Sequence, residues 1–125
     1  MSRTRKCTGQ VSAGRLAKAV EFLDSAELLA DDPSSRNAAA SLFVEAGIAA
    51  ADVICCRRLG EHAQGQDHND AVLLLARADP DLATCLRTLL TNKSKISYSS
   101  QMLPSSEFKK VQRAATQLTA AARRA

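Results

Sequence analysis

The chain has 125 residues and a formal net charge of +4; 46% of its residues are hydrophobic, but only 3% are aromatic. A chain of this length forms one domain with a single core, and so few aromatic and β-branched side chains argue against a sheet. The basic N-terminus, MSRTRKCTGQ, is followed by no apolar segment, so a secretory signal is not expected. No run approaches the roughly 18 apolar residues of a membrane span, so we expect no membrane partner.

The cysteines are expected to be reduced, because no export signal accompanies them. They are Cys7, Cys55, Cys56 and Cys85. Adjacent positions on a helix point about 100° apart, so Cys55 and Cys56 are poorly placed to bind one ion, and the spacing to His62 and His68 matches no zinc pattern. We therefore predict buried thiols, a cytoplasmic location, and neither a metal nor a cofactor.

Charge is unevenly distributed along the sequence. Residues 1–10 carry three basic side chains and no acidic one, residues 11–86 carry six basic and twelve acidic, and residues 87–125 carry eight basic and one acidic. Basic ends flanking an acidic body are typical of a surface that meets nucleic acid or an acidic partner protein. The alternative is that the basic ends only aid solubility.

The first third of the chain predicts a disordered basic arm over residues 1–10 and the start of a single domain over 11–125. Apolar residues at helical spacing predict helix 1 over about 12–30, with Ser12 as its N-cap. An Asp-Asp-Pro-Ser-Ser segment then ends that helix.

Helix 2 is predicted from Ser35 or Asn37 to about Leu59, with Gly60 as its terminator. Nearly all of its faces are small or apolar, which is typical of a helix at the centre of a core or shared with a second subunit. Gly47 in its middle is unfavourable for a helix and predicts the close approach of another helix.

Three further helices follow at short intervals. Helix 3 is predicted over about 68–77 and helix 4 over about 80–99, and helix 5 begins near Ser105 or Ser106. Aspartates before helices 3 and 4 are typical N-caps, and Pro80 suits the first turn of helix 4. The fold class is therefore all-α, an up-down bundle of about five helices around a long central helix 2.

Two groups of polar residues are candidate sites. Arg57 and His62, five residues apart, have the chemistry to cut RNA without metal, with histidine moving the proton and arginine stabilising the phosphorane. The alternative is a solvent-facing arginine and a loop histidine. The second group, Lys93, Lys95 and Tyr98, has the chemistry to bind phosphate or is simply a solvated helix end.

Residues 38–121 together resemble the HEPN superfamily, particularly its small single-domain members. The resemblance lies in AAASLFVEAGIAAADVICCRRLG, GQDHNDAVLLL and LRTLLTNKSKISYSS, followed by an amphipathic helix. In these proteins the third helix opens on a histidine, which here is His68, and the fourth ends in a basic-to-tyrosine segment, here Lys93 or Lys95 to Tyr98. The alternative is that His68 has a structural role and either packs beneath the end of helix 2 or forms a hydrogen bond to a helix cap.

The resemblance implies a helical bundle, frequent homodimers, a toxin–antitoxin or defence role, and in many members a metal-independent RNase with an Arg-x4–6-His motif. That motif normally lies near the end of helix 4, where this chain has lysines, and lysine lacks the bidentate fork of arginine. We therefore expect a non-catalytic, dimeric binding module that contacts nucleic acid or a partner protein. A metal-independent endoribonuclease is the alternative.

Overall fold

The computed structural model describes residues 3–64 and 67–125 and is an all-α bundle with one small ribbon. Its helices are α1 (Gly9–Ala30), α2 (Arg36–Leu59), α3 (His68–Ala78), α4 (Pro80–Tyr98) and α5 (Ser105–Arg124), with a 3-10 turn at Pro33–Ser35. The ribbon pairs β1 (Thr4–Lys6) with β2 (Glu61–Ala63) in antiparallel register. The predicted fold class and its long second helix are confirmed.

Helix α2 is the centre of the core. Its buried residues lie on most sides of the helix rather than on one stripe, and Phe43, Val53 and Ile54 have no exposed surface. By length and composition the segment Pro33–Leu59 could cross a membrane, because its most apolar 18-residue window has a mean hydropathy of 1.8, but 72% of that window is buried in the bundle. That burial is what a core helix of this composition requires.

The other helices surround α2. The start of α1 lies against the end of α2, where Arg15 forms an ion pair with Asp52, so these two helices are antiparallel. Helix α5 runs parallel to α2, because Arg36 bonds to the carbonyl of Leu103 at one end and Arg57 bonds to that of Ala122 at the other. Helices α3 and α4 cover the remaining side.

Side-chain caps fix where the helices start. Asp67 and Asp79 accept backbone N–H bonds at the starts of α3 and α4, as the sequence predicts. Helix α1 begins earlier than predicted, because the N-cap is Thr8, whose hydroxyl oxygen accepts the Val11 N–H at 3.2 Å. Ser12, predicted as that cap, is instead buried in the first turns of α1 and donates to the carbonyl of Gly9.

The prediction of a disordered arm over residues 1–10 was wrong for residues 3–10; residues 1 and 2 lie outside the described part of the chain. Strand β1 pairs with β2 so that Arg5 faces His62. Two flanking backbone bonds extend the pairing, from Cys7 N–H to Gly60 and from Gln64 N–H to Arg3. The basic side chains of β1 are therefore held beside the end of α2.

The cysteines also differ from the prediction of four reduced thiols. Cys7 and Cys56 form a disulfide that joins the end of β1 to the last turn of α2. Cys55 is a buried free thiol, and Cys85 is a half-buried free thiol. The two halves of the bridge are 49 residues apart in the sequence, so the fold, rather than local spacing, brings them together.

Gly47 lies where α2 meets two other helices. A Cβ atom added at this position would overlap Leu89 Cδ1 of α4 and lie 3.4 Å from Leu118 Cδ1 of α5. Alanine is intrinsically better in a helix by about 1 kcal/mol. Overpacking in a core costs about 1–3 kcal/mol. We therefore expect Gly47→Ala to lower the free energy of unfolding by about 1 kcal/mol, measured by denaturant titration.

The matched test replaces the side chain that would collide. Leu89→Ala removes the obstructing methyl group, so Gly47→Ala introduced into that background should be neutral or stabilising. The destabilisation caused by Gly47→Ala should therefore be absent in the Leu89→Ala background. The same destabilisation in both backgrounds would show that contact with Leu89 is not its cause.

Candidate functional site

Arg57 and His62, the pair predicted from its spacing, each contact backbone carbonyl oxygens. The Arg57 Nη1 donates to the carbonyl oxygens of Ala122 and Ala125 at 3.3 and 3.4 Å, which ties α2 to the end of α5. His62 lies on β2, with its Nδ1 2.9 Å from the carbonyl oxygen of Ala63. Each side chain thus makes contacts that belong to the fold.

His68 and Lys93 are brought together on one pocket of about 230 Å³ between α2, α3 and α4. We call it the α2–α4 pocket. Its apolar walls are Ile48, Ala51, Ala63, Ala71, Leu86 and Leu90. Its polar side chains are Asp52, Cys55, Asp67, His68 and Lys93. A pocket with apolar walls and a few converging polar groups is the usual form of a small-molecule site.

Lys95 and Tyr98 lie outside this pocket. Lys95 is exposed near the end of α4, and Tyr98 is 87% exposed to solvent. Helix α4 ends at Tyr98, and this residue is exposed to water. Of the second candidate group, Lys93 lines this pocket together with His68, another predicted site residue.

Asp52 is a largely buried carboxylate that lines the pocket and forms an ion pair. Its Oδ2 accepts from Arg15 Nε at 3.1 Å and pairs with Arg15 Nη2 at 2.8 Å. Burial raises the pKa of the Asp52 carboxyl above its ordinary value, although the charges on Arg15 and His62 act in the opposite direction. The ion pair therefore only partly offsets the cost of removing this carboxylate from water.

This arrangement predicts a pH-dependent effect of Asp52→Asn. The folded-state pKa lies above the unfolded one, so the stability that protonated Asp52 contributes is complete below about pH 4 and is lost as the pH rises through the raised pKa. Asparagine cannot ionise. We expect denaturant unfolding to show the stability of the variant improving relative to wild type between about pH 4 and pH 7. The opposite trend would mean that pairing with Arg15 outweighs burial.

The Cys55 thiol is poorly reactive in this pocket. Burial first, and the nearby Asp52 carboxylate second, raise the pKa of its thiol to about 12, so the thiol stays protonated at neutral pH and is a weak nucleophile. Within residues 3–64 and 67–125, no three His, Cys, Asp or Glu side chains are grouped closely enough to hold a metal ion.

A second surface feature runs between α4 and α5. Two adjoining hollows of about 190 and 400 Å³ share Cys85 and Gln117, whose side chains are 3.0 Å apart. We call them together the α4–α5 furrow. Its charged side chains are Lys110, Arg113, Arg124 and Asp81. Thr84 and Thr88 supply hydroxyl groups, so the furrow is cationic and rich in hydrogen-bonding groups.

Sequence reasoning missed parts of both features. Asp52 is one of only two charged residues between Asn37 and Cys56. A charged residue on an otherwise apolar helix was the signal that could have identified Asp52 as a site residue. Its pairing with Arg15 depends on how α1 packs, which periodicity does not reveal. The basic C-terminal third was recognised, but the alignment of Arg113 with hydroxyl groups of α4 required the helix pairing.

In comparisons with known proteins, no family model and no curated protein matches this chain. The resemblance to HEPN proteins therefore stays a prediction from the residues that carry it.

Proposed function

We propose that the protein is a non-catalytic helical binding module that contacts the phosphate backbone of nucleic acid through the α4–α5 furrow. The observation that carries this proposal is the placement of Lys110, Arg113 and Arg124 along one groove, opposed only by Asp81. Basic side chains, hydroxyls and amides are the groups that contact nucleic-acid phosphates in proteins.

The charges around the furrow support the proposal. Residues 87–125, which include most of α4 and all of α5, carry eight basic side chains and a single acidic one, Glu107. Glu107 forms an exposed ion pair with Lys110 at 3.4 Å, and exposed pairs of this kind contribute little energy. Lys110 can therefore exchange this partner for a phosphate, and Arg113 forms no ion pair among the described residues.

The proposal predicts that Arg113→Glu weakens binding to a labelled single-stranded RNA or a duplex DNA in fluorescence anisotropy. Loss of one phosphate contact should lower the slope of log affinity against log salt by about 0.7–0.9, and reversed charge should reduce affinity at least about tenfold. The effect should not depend on the base sequence of the probe, because phosphates carry no sequence information.

Lys109→Glu is the matched control, because it makes the same charge change on the exposed surface of α5 without lining the furrow. Equal losses in the two variants would mean that net charge, rather than the furrow, drives binding. Absence of binding by the wild-type protein at low salt would eliminate nucleic acid as the ligand. The remaining partner would then be an acidic protein.

The biological setting belongs to the same proposal and rests on the resemblance to HEPN proteins. It comprises a homodimer, a cytoplasmic location and a role in a toxin–antitoxin or other defence system. Analytical ultracentrifugation at tens of micromolar tests the dimer, and sedimentation as monomer alone at that concentration would remove it. The disulfide between Cys7 and Cys56 is unusual for the cytoplasm, so the redox state of these cysteines in cells tests the location.

We favour binding over RNA cleavage because of the contacts that Arg57 makes. A guanidinium bonded to two carbonyl oxygens at the end of α5 has fewer donors left for a phosphorane. The endoribonuclease alternative is tested by incubating RNA with the protein in chelator. Cleavage that disappears in His62→Ala or Lys95→Ala would overturn the non-catalytic reading, whereas intact RNA supports it.

A further inference from the structure

We propose that the α2–α4 pocket binds a small organic monocarboxylate with a compact apolar body, independently of nucleic-acid binding at the furrow. The inference rests on three properties of this pocket: which of its charges are already neutralised, what its walls are made of, and how large it is. Each property restricts the chemistry of the ligand.

Both carboxylates of the pocket already have partners within the protein. Asp52 is paired with Arg15 through two nitrogen atoms. Asp67 accepts the backbone N–H groups of Asn69 and Asp70 at 2.9 and 3.4 Å, so its negative charge faces the start of α3. Aspartate in this position is stabilised by the helix dipole, which further neutralises its charge.

Lys93 is a charged side chain of the pocket that has no ion-pair partner among the described residues. Glu45 shares a neighbouring cleft of about 30 Å³ with Lys93 but forms no ion pair with it. Lys93 is a half-buried residue that lines this largely apolar pocket, and a lysine ammonium there favours a single negative charge on the ligand.

The walls and the volume restrict the rest of the ligand. Six apolar side chains line the pocket, and the Cys55 thiol is protonated and uncharged. The volume of about 230 Å³ corresponds to roughly eight water molecules, which accommodates a ring or a short alkyl chain. A phosphate monoester carries a second negative charge. Besides Lys93, the pocket has only the His68 imidazole to pair with that charge, so a monocarboxylate fits the pocket better.

Benzoate, benzamide, phenyl phosphate and benzylamine form the test series, because they share one ring and differ in charge. Each is titrated into the 15N-labelled full-length protein, and amide shifts are followed. Benzoate should bind with a Kd on the order of 1 mM and shift amides of α2, α3 and α4 around the pocket, whereas benzamide should bind at least about tenfold more weakly. Tighter binding of phenyl phosphate or benzylamine would overturn the assignment to a carboxylate.

Two variants and one control locate the interaction. Lys93→Met keeps the aliphatic stem and should weaken benzoate binding at least about tenfold, whereas Lys95→Met, on the exposed surface of the same helix, should leave it unchanged. Ala71→Leu retains every charge and fills the pocket, so it should abolish binding even if the Lys93 variant does not fold. Benzoate shifts that persist in Ala71→Leu, or that disappear equally in both lysine variants, would overturn the proposal.

Discussion

Removal of the disulfide between Cys7 and Cys56 is expected to lower the free energy of unfolding by about 4 kcal/mol. The bridge closes a loop of 49 residues, and in the chain-entropy description a loop of this size restricts the unfolded chain by about that amount. The change is made either by a dithiol reductant or by the double substitution Cys7→Ser and Cys56→Ser. Denaturant titration measures it.

The loss should begin at the ribbon of β1 and β2. Strands of three residues are too short to stay paired alone, so the backbone bonds from Cys7 to Gly60 and from Gln64 to Arg3 should exchange faster after reduction. Cys85→Ser is the control, because this thiol lies in the α4–α5 furrow and takes no part in the bridge. Unchanged stability and unchanged amide exchange would mean that the bridge does not hold the ribbon.

Phe43→Ala is expected to cost about 3–5 kcal/mol, which is a large share of the roughly 5–15 kcal/mol that stabilises a typical domain. Phe43 has no exposed surface, and its ring meets that of Phe108 edge-on, with the ring centroids 5.9 Å apart. The substitution leaves a cavity between α2 and α5 that the surrounding helices can only partly fill. Thermal and denaturant unfolding measure the loss.

Leu28→Ala is the matched control for this prediction. The Leu28 side chain is also large and apolar, but it is 85% exposed on α1, so its truncation should change stability by less than about 0.5 kcal/mol. Phe43→Leu should fall between the two, because leucine fills part of the vacated space. A loss at Phe43 no greater than that at Leu28 would contradict a core centred on α2.

The helices could be predicted because their signals are local. The apolar pattern, the aspartate caps before α3 and α4, and the terminator Gly60 each act within a few residues, and Gly60 has the left-handed φ of 78° that this role requires. The β1–β2 ribbon could not be predicted in this way. Three-residue strands show no usable alternation, and Thr4 pairs with Ala63, far along the chain.

The candidate sites could be predicted only in part, because they also depend on contacts between residues that are distant in the sequence. His68 and Lys93 were singled out from a resemblance and from local charge, and the structure places both on one pocket. Arg57 was singled out for its spacing to His62, but spacing could not show that its guanidinium reaches α5. Contacts between helices decide which polar groups are neutralised and which remain free for a ligand.

The parallel pairing of α2 with α5 has a consequence for biosynthesis. The contacts that cover α2 on this side join residues separated by 65 and 67 positions, from Arg57 to Ala122 and from Arg36 to Leu103. On the ribosome, the most apolar helix therefore emerges long before the segment that shields it. Nascent chains stalled before α5 should recruit chaperones, and this recruitment should end once α5 has left the exit tunnel.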